Sequence, residues 1–236
     1  MKTPQQFYKD LGVRGLSARK DKAHTEKELS YLKRILNKDM KVLDIGCGYG
    51  RFTIPLAESG YDIEGIDLSN NLLKKAKQDS KKKGLNIKFK LGDMRKLPYK
   101  DKKFDAVICM WSVFIELTKE KDQINSLNEM LRVLKKDGFA FIEIPKPQRK
   151  PKNIRTKRKN LDSKKIIGRN IISIIDNVLA NPMYLHNKTT ILNLMKKIKP
   201  KKYEIKVVNF GGRKRMLIKF WKRGVKWNET KKDNCN

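Results

Sequence analysis

The chain has 236 residues, with 57 Lys and Arg against 25 Asp and Glu for a formal charge of +32, and it is 39% hydrophobic and 35% charged. A chain of this length buries roughly 70–75% of its unfolded surface, which suits one α/β domain with room for an insertion and excludes wholesale disorder. Cys47, Cys109 and Cys235 are too far apart for a disulfide scaffold or a zinc site, Met1 to Asp10 lacks an apolar signal core, and no apolar run is long enough for a bilayer, so the expectation is a cytoplasmic protein without a transmembrane segment or metal.

Lys2 to Asn37 reads as amphipathic helix, with Leu29, Leu32, Ile35 and Leu36 at helical spacing, and 1–38 is taken as an N-terminal helical lid. From Lys41 short apolar runs alternate with helical segments, the pattern of βαβ units on a mostly parallel sheet. Strands are predicted at Lys41–Ile45, Tyr61–Ile66, Ile87–Leu91, Phe104–Met110 and Phe139–Ile144. Helices are expected at Arg51–Ser59, from the Ser69 cap to about Lys83, and at Lys119–Leu134. Residues 39–145 therefore form a Rossmann-like core.

The rhythm breaks at 146–186, a basic insertion or cap. Its first part holds Lys146, Arg149, Lys150, Lys152, Arg155, Lys157, Arg158, Lys159, Lys164 and Lys165 against the single acid Asp162, and self-repulsion predicts an exposed segment. Ile166 to Leu179 is read as a helix with one apolar face, either buried or lying on a membrane surface. Residues 187–223 supply a last helix, Asn187 to Ile198, and two strands, Tyr203–Phe210 and Arg215–Trp221, and 224–236 is a polar tail.

Gly46, Gly48 and Gly50 stand at alternate positions between an apolar strand and a helix. Glycine permits the sharp turn and close ligand approach, and the helix start offers unpaired amides, so the loop suits a nucleotide-like ligand. Asp67 ends the second strand, where a carboxylate can accept from both ribose hydroxyls, and Gly92-Asp93-Met94 ends the third. Strand ends of an open parallel sheet share one crevice. NAD is the rival ligand, disfavoured by the glycine spacing.

Leu43-Asp44-Ile45-Gly46-Cys47-Gly48-Tyr49-Gly50, Asp67, Gly92-Asp93-Met94 and Phe104-Asp105-Ala106-Val107-Ile108 resemble the class I S-adenosylmethionine-dependent methyltransferases, over about Lys41 to Pro145. The resemblance implies a seven-stranded, mostly parallel sheet with helices on both faces and an antiparallel last strand inserted between the fifth and sixth. It implies S-adenosyl-L-methionine as cofactor, with its methionine part on Asp44, Gly46, Cys47 and Gly48, Gly50 closing the loop, and its ribose on Asp67. Leu68 would flank the adenine, Asp93 would bind its amino group, Met94 would cover the ring, and Met110 and Trp111 would line the pocket near the sulfonium. Tyr8, Arg14 and Arg19 could reach the cofactor carboxylate from the lid.

Methyl transfer by in-line displacement needs alignment and water exclusion more than side-chain chemistry, so the acceptor half is harder to read. Cys109-Met110-Trp111-Ser112 lacks the motif resembling nucleobase-amine methylation, and Cys109 reads as a buried hydrophobe. Glu116, Glu143 and His186 are candidate bases. The charge invites RNA as acceptor, through Lys150, Lys152, Arg155, Lys157, Arg158, Lys159, Arg213 and Arg215. However, 44 of the 57 cations are Lys, as AT-biased codons alone would produce. The alternatives are a small-molecule acceptor and a non-catalytic, basic nucleic-acid-binding protein on the same scaffold.

Overall fold

The computed structural model describes residues 12, 22–146, 163–168, 171–176 and 179–222, with side chains of 163–181 outside that description. The helices are α1 (Lys22–Ile35), α2 (Thr53–Glu58), α3 (Asn70–Lys82), α4 (Glu120–Val133) and α5 (Lys188–Ile198), with a 3₁₀ turn at Val113–Glu116. The strands are β1 (Lys41–Ile45), β2 (Asp62–Asp67), β3 (Phe89–Leu91), β4 (Phe104–Cys109), β5 (Leu134–Pro145), β6 (Ser163–Gly168), β7 (Ile171–Asp176), β8 (Leu179–Tyr184), β9 (Lys202–Phe210) and β10 (Arg213–Trp221).

Seven strands form one sheet in the order β3-β2-β1-β4-β5-β10-β9. The first five run parallel, and β10 lies antiparallel between β5 and β9, as the resemblance implied. Strand side chains alternate between faces, which gives the sheet two cores. Leu43, Ile45, Val107, Ile142 and Ile218 pack with Leu127 and Met130 of α4 and Ile191, Leu194, Met195 and Ile198 of α5. Val42, Ala106, Ile108, Phe141 and Leu217 pack on the other face with Leu32 of α1 and Leu56 of α2. Burying each large side chain contributes about 1.5–3 kcal/mol.

Local signals agree with this layering. Ser69 caps α3 by accepting the Leu72 amide, and Asn187 and Thr190 form a reciprocal capping box on α5, with both amides bonded at 2.9 Å. The apolar positions of α5 recur at helical spacing, so one stripe faces the sheet.

Ile166 to Leu179 is not a helix. Its described residues lie in a separate antiparallel sheet, β6-β7-β8, with Ile171 opposite Tyr184 and Ile175 opposite Ala180. Isoleucines at 166, 167, 171, 172, 174 and 175 are β-branched and stiff, and they favour extended backbone. The membrane-surface helix falls with that reading. Residues 147–162, carrying Lys150, Lys152, Arg155, Lys157, Arg158 and Lys159, lie outside the described residues, as do Tyr8, Arg14, Arg19 and the tail. Among the described residues, no helix is long and apolar enough to cross a membrane.

Candidate active site

The site begins where β1 ends. Gly46, Gly48 and Gly50 all have positive φ, at +71°, +56° and +85°. At Gly46 a Cβ would also lie 2.5 Å from Val113 Cγ1, so both backbone and space require glycine there. The amides of Gly46 and Cys47 donate to the Ile66 carbonyl at 2.8 and 3.1 Å, which fixes the loop to the tip of β2. The Gly48 amide donates to Asp67 Oδ2 and the Ser69 amide to Asp67 Oδ1, each at 2.8 Å. Burial raises the Asp67 pKa above the usual carboxylate value, opposed by these amides.

Loop, strand tips and the turn after β4 line one cleft whose walls are mostly apolar. Of the residues expected to bind the cofactor, Gly46, Cys47, Gly48, Asp67, Leu68, Met94, Met110 and Trp111 line it together. The reading missed Ile45, Tyr49, Arg51, Phe52, Ile66, Leu72, Gly92 and Val113. Tyr49 lies between Gly48 and Gly50, and Arg51 and Phe52 directly follow, so their place at the helix start was the available signal. Val113 carried no signal, because a tertiary turn brings it over Gly46.

Three expected cofactor residues sit elsewhere. Asp44 is 1% exposed and accepts from Thr53 Oγ1 at 2.6 Å, so its carboxyl braces α2 behind the loop. Burial, reinforced by the Asp67 charge, pushes its pKa up to about 7 although the Thr53 bond opposes this. Asp93 is tied to Arg95 in a forked ion pair, with Arg95 Nη2 at 2.6 Å, and is not among the lining residues. Gly50 makes the helix entry, where a Cβ would meet Ile54 at 2.7 Å.

Of the candidate bases only Glu116 lines the cleft. Glu143 is fully buried, accepts the Trp111 amide at 2.8 Å and is ion-paired with Arg215. His186 is 1% exposed and stacked on Phe114, with ring centroids 5.4 Å apart, and burial lowers its pKa to about 3. A buried, neutral imidazole outside the cleft is no base for this site. Cys109 is buried in the core, with its thiol pKa pushed up. Arg215, expected to meet RNA phosphate, is 9% exposed and committed to Glu143; Arg213 is exposed.

Arg51 ties the cleft to the N-terminal helix. Its Nη2 donates to Thr25 Oγ1 at 2.8 Å and pairs with Glu28 Oε2 at 3.2 Å, and its guanidinium carbon lies 3.8 Å from the centre of the Trp111 ring. Among the described residues no group of three or more His, Cys, Asp or Glu could hold a metal ion.

Residues 42–138 match the family model described as "Methyltransferase domain". Residues 42–138 are a methyltransferase domain of the class I, S-adenosylmethionine-dependent kind. A glycine/sarcosine N-methyltransferase of Aphanothece halophytica is 34% identical to it over 104 residues, covering 44% of this chain and 39% of that protein. A demethylmenaquinone methyltransferase of Deinococcus radiodurans is 37% identical over 110 residues, covering 45% and 44%. The chain thus spans less than half the length of these curated relatives. The solved structure of an S-adenosylmethionine-dependent methyltransferase from Clostridium acetobutylicum superposes with a TM-score of 0.69 at 16% identity, covering 93% of this chain and 97% of that one. The methyltransferase domain therefore shares its fold with that structure well beyond the matched segment.

Proposed function

We propose that the chain transfers a methyl group from S-adenosyl-L-methionine to a small-molecule acceptor. The observation that carries this is the joint placement of the Asp67 carboxylate, the glycine loop and the apolar residues Leu68, Leu72 and Met94 around one cleft. The cleft fits the cofactor chemically. The Asp67 carboxylate accepts the Gly48 amide on one oxygen and the Ser69 amide on the other, with the Leu68 amide also acting on it, and retains acceptor capacity for a ribose hydroxyl. Leu68, Leu72 and Met94 provide an apolar slot for the base, and Gly46 and Gly48 admit close backbone approach. Arg51, the cation among the lining residues, would face the amino-acid carboxylate.

The bound cofactor supplies an electrophilic methyl group on a sulfonium. The protein's share is to orient the acceptor against it and to exclude water, a role suited to Met110, Trp111 and Val113. Glu116 would hold a donor group of the acceptor or take its proton.

The two relatives, one named for glycine or sarcosine and one for a demethylated menaquinone, support a small acceptor and differ in its chemistry. RNA has less support, since Arg215 is withdrawn into a buried pair. A non-catalytic scaffold has less still, given the intact cleft. Labelled cofactor offered with metabolite, RNA and protein pools should mark the metabolite pool in an Asp67-dependent way. Label in RNA alone overturns the acceptor, and no label together with no cofactor binding overturns the enzyme.

A further inference from the structure

Trp111 and Ser112 are consecutive non-glycine residues in the left-handed region, with φ of +53° and +70°. Trp111 lines the cleft with Val113 and Glu116, and Ser112 is the turn residue between Trp111 and Val113. L-residues rarely adopt this conformation, and a pair in succession persists only where the surroundings determine it.

The determinants are side chains of β5 and β10. Glu143 of β5 accepts the Trp111 amide through Oε2 at 2.8 Å, and its backbone carbonyl accepts the Ser112 amide at 3.3 Å. Arg215 of β10 donates from Nη2 to Ser112 Oγ at 2.6 Å and is ion-paired with Glu143 through Nε. One guanidinium therefore grips both the hydroxyl of the turn and the carboxylate that holds its backbone. These partners are 72 and 103 residues away from Arg215 in sequence, and β10 brings them together by lying against β5.

Stability alone does not explain the pair. Replacing a buried ion pair with apolar residues of similar volume is often neutral or stabilising, because desolvating two charges offsets their attraction. An apolar pair could neither accept the Trp111 amide nor donate to the Ser112 hydroxyl. What the charges uniquely supply is the conformation of the turn.

We infer that Arg215 is a positioning residue, which through Glu143 and Ser112 holds Trp111 in place as the acceptor-side wall of the cleft. The inference rests on the methyltransferase reading for its catalytic consequence, but its structural half stands apart from it. Arg215 reaches the chemistry through other groups, so cofactor affinity survives its loss and acceptor alignment does not. Misplacing a reacting group by about 1 Å costs on the order of a hundredfold in rate, so the expected loss in transfer lies between about tenfold and a hundredfold.

The test follows the indole N–H resonance of Trp111 in the full chain, assigned by its disappearance in Trp111→Phe. In Arg215→Ala that resonance should shift or broaden while that of Trp221, at the far end of β10, stays. Ser112→Ala, which removes only the hydroxyl contact, should move it in the same direction by less. Arg213→Ala, at the exposed start of β10, should leave it unmoved.

Label transfer from S-adenosylmethionine to the metabolite pool should fall by about tenfold or more in Arg215→Ala, with S-adenosylhomocysteine affinity within about threefold of wild type. A Trp111 resonance unchanged in folded Arg215→Ala overturns the inference. So does an equal loss of cofactor affinity and transfer. Should Arg215→Ala fail to fold, Ser112→Ala decides by the same criteria. A wild-type chain that transfers no label sinks the proposed function, while the resonance experiment still tests the positioning.

Discussion

The Gly48 amide donates to Asp67 Oδ2 at 2.8 Å, so the glycine loop and the tip of β2 form one unit rather than two independent ligand contacts. Asp67→Ala then has two effects. It leaves the Gly48 and Ser69 amides without this acceptor, at a cost to folding of about 1–3 kcal/mol, and under the proposed function it removes the acceptor for ribose hydroxyls. Calorimetric affinity for S-adenosylhomocysteine should drop about tenfold to a hundredfold, since hydrogen bonds to charged groups contribute about 1.5–3 kcal/mol. Unaltered affinity in a folded variant would remove Asp67 from the cofactor site.

Gly46 and Gly84 separate backbone strain from crowding. Both have positive φ, +71° and +68°, but a Cβ at Gly84 meets nothing within 4 Å whereas one at Gly46 strikes Val113. Gly84→Ala should lower stability by about 1 kcal/mol, from the backbone alone. Gly46→Ala adds overpacking and should cost about 1–3 kcal/mol more, while displacing Val113 from the cleft wall and weakening cofactor binding. Chemical denaturation of the two variants side by side gives the difference, and equal losses would mean that Val113 yields freely.

Asp44 makes stability depend on pH in the direction opposite to a salt-bridged acid. Its folded pKa is pushed up from 3.8 to about 7 by burial and by the Asp67 charge, with the Thr53 hydroxyl opposing. Between about pH 4 and pH 7 the unfolded chain has released the proton while the folded one keeps it, so stability falls as pH rises through this window and levels off above it. The full effect is up to about 4 kcal/mol. Asp44→Asn should flatten that slope relative to wild type in denaturation series across the window, and parallel slopes would place the titration elsewhere.

The sheet was legible because its strands carry local signals: apolar runs bounded by Gly, Pro or a capping residue, as at Lys41–Ile45 before Gly46, and alternation in the last two. The glycine-loop wall of the cleft was legible for the same local reason, with glycines and Asp67 standing at strand ends. The reading failed where the deciding partner is distant. Glu143 looks like a cleft base until β10 places Arg215 against it, and Asp44 looks like a ligand until Thr53 takes its carboxyl. Ile166 to Leu179 failed differently. A short apolar run does not distinguish a buried helix from a strand by periodicity, and its β-branched content was the better guide.

Arg51 and Glu28 join the N-terminal helix to the cleft through an ion pair whose side chains are 4% and 0% exposed. Breaking one half of such a pair is expensive because a buried charge loses its counter-charge, about 3–5 kcal/mol. Glu28→Leu should therefore lower the denaturant midpoint strongly, and Glu28→Leu with Arg51→Leu should lose less than the sum of the two single changes. The cleft should register the same break, because Arg51 stacks on Trp111: Glu28→Leu frees the guanidinium to shift over the indole, and Trp111 fluorescence should change even at temperatures where the fold is intact. Strict additivity, or a Trp111 signal indifferent to Glu28→Leu, would show that α1 covers the site without controlling it.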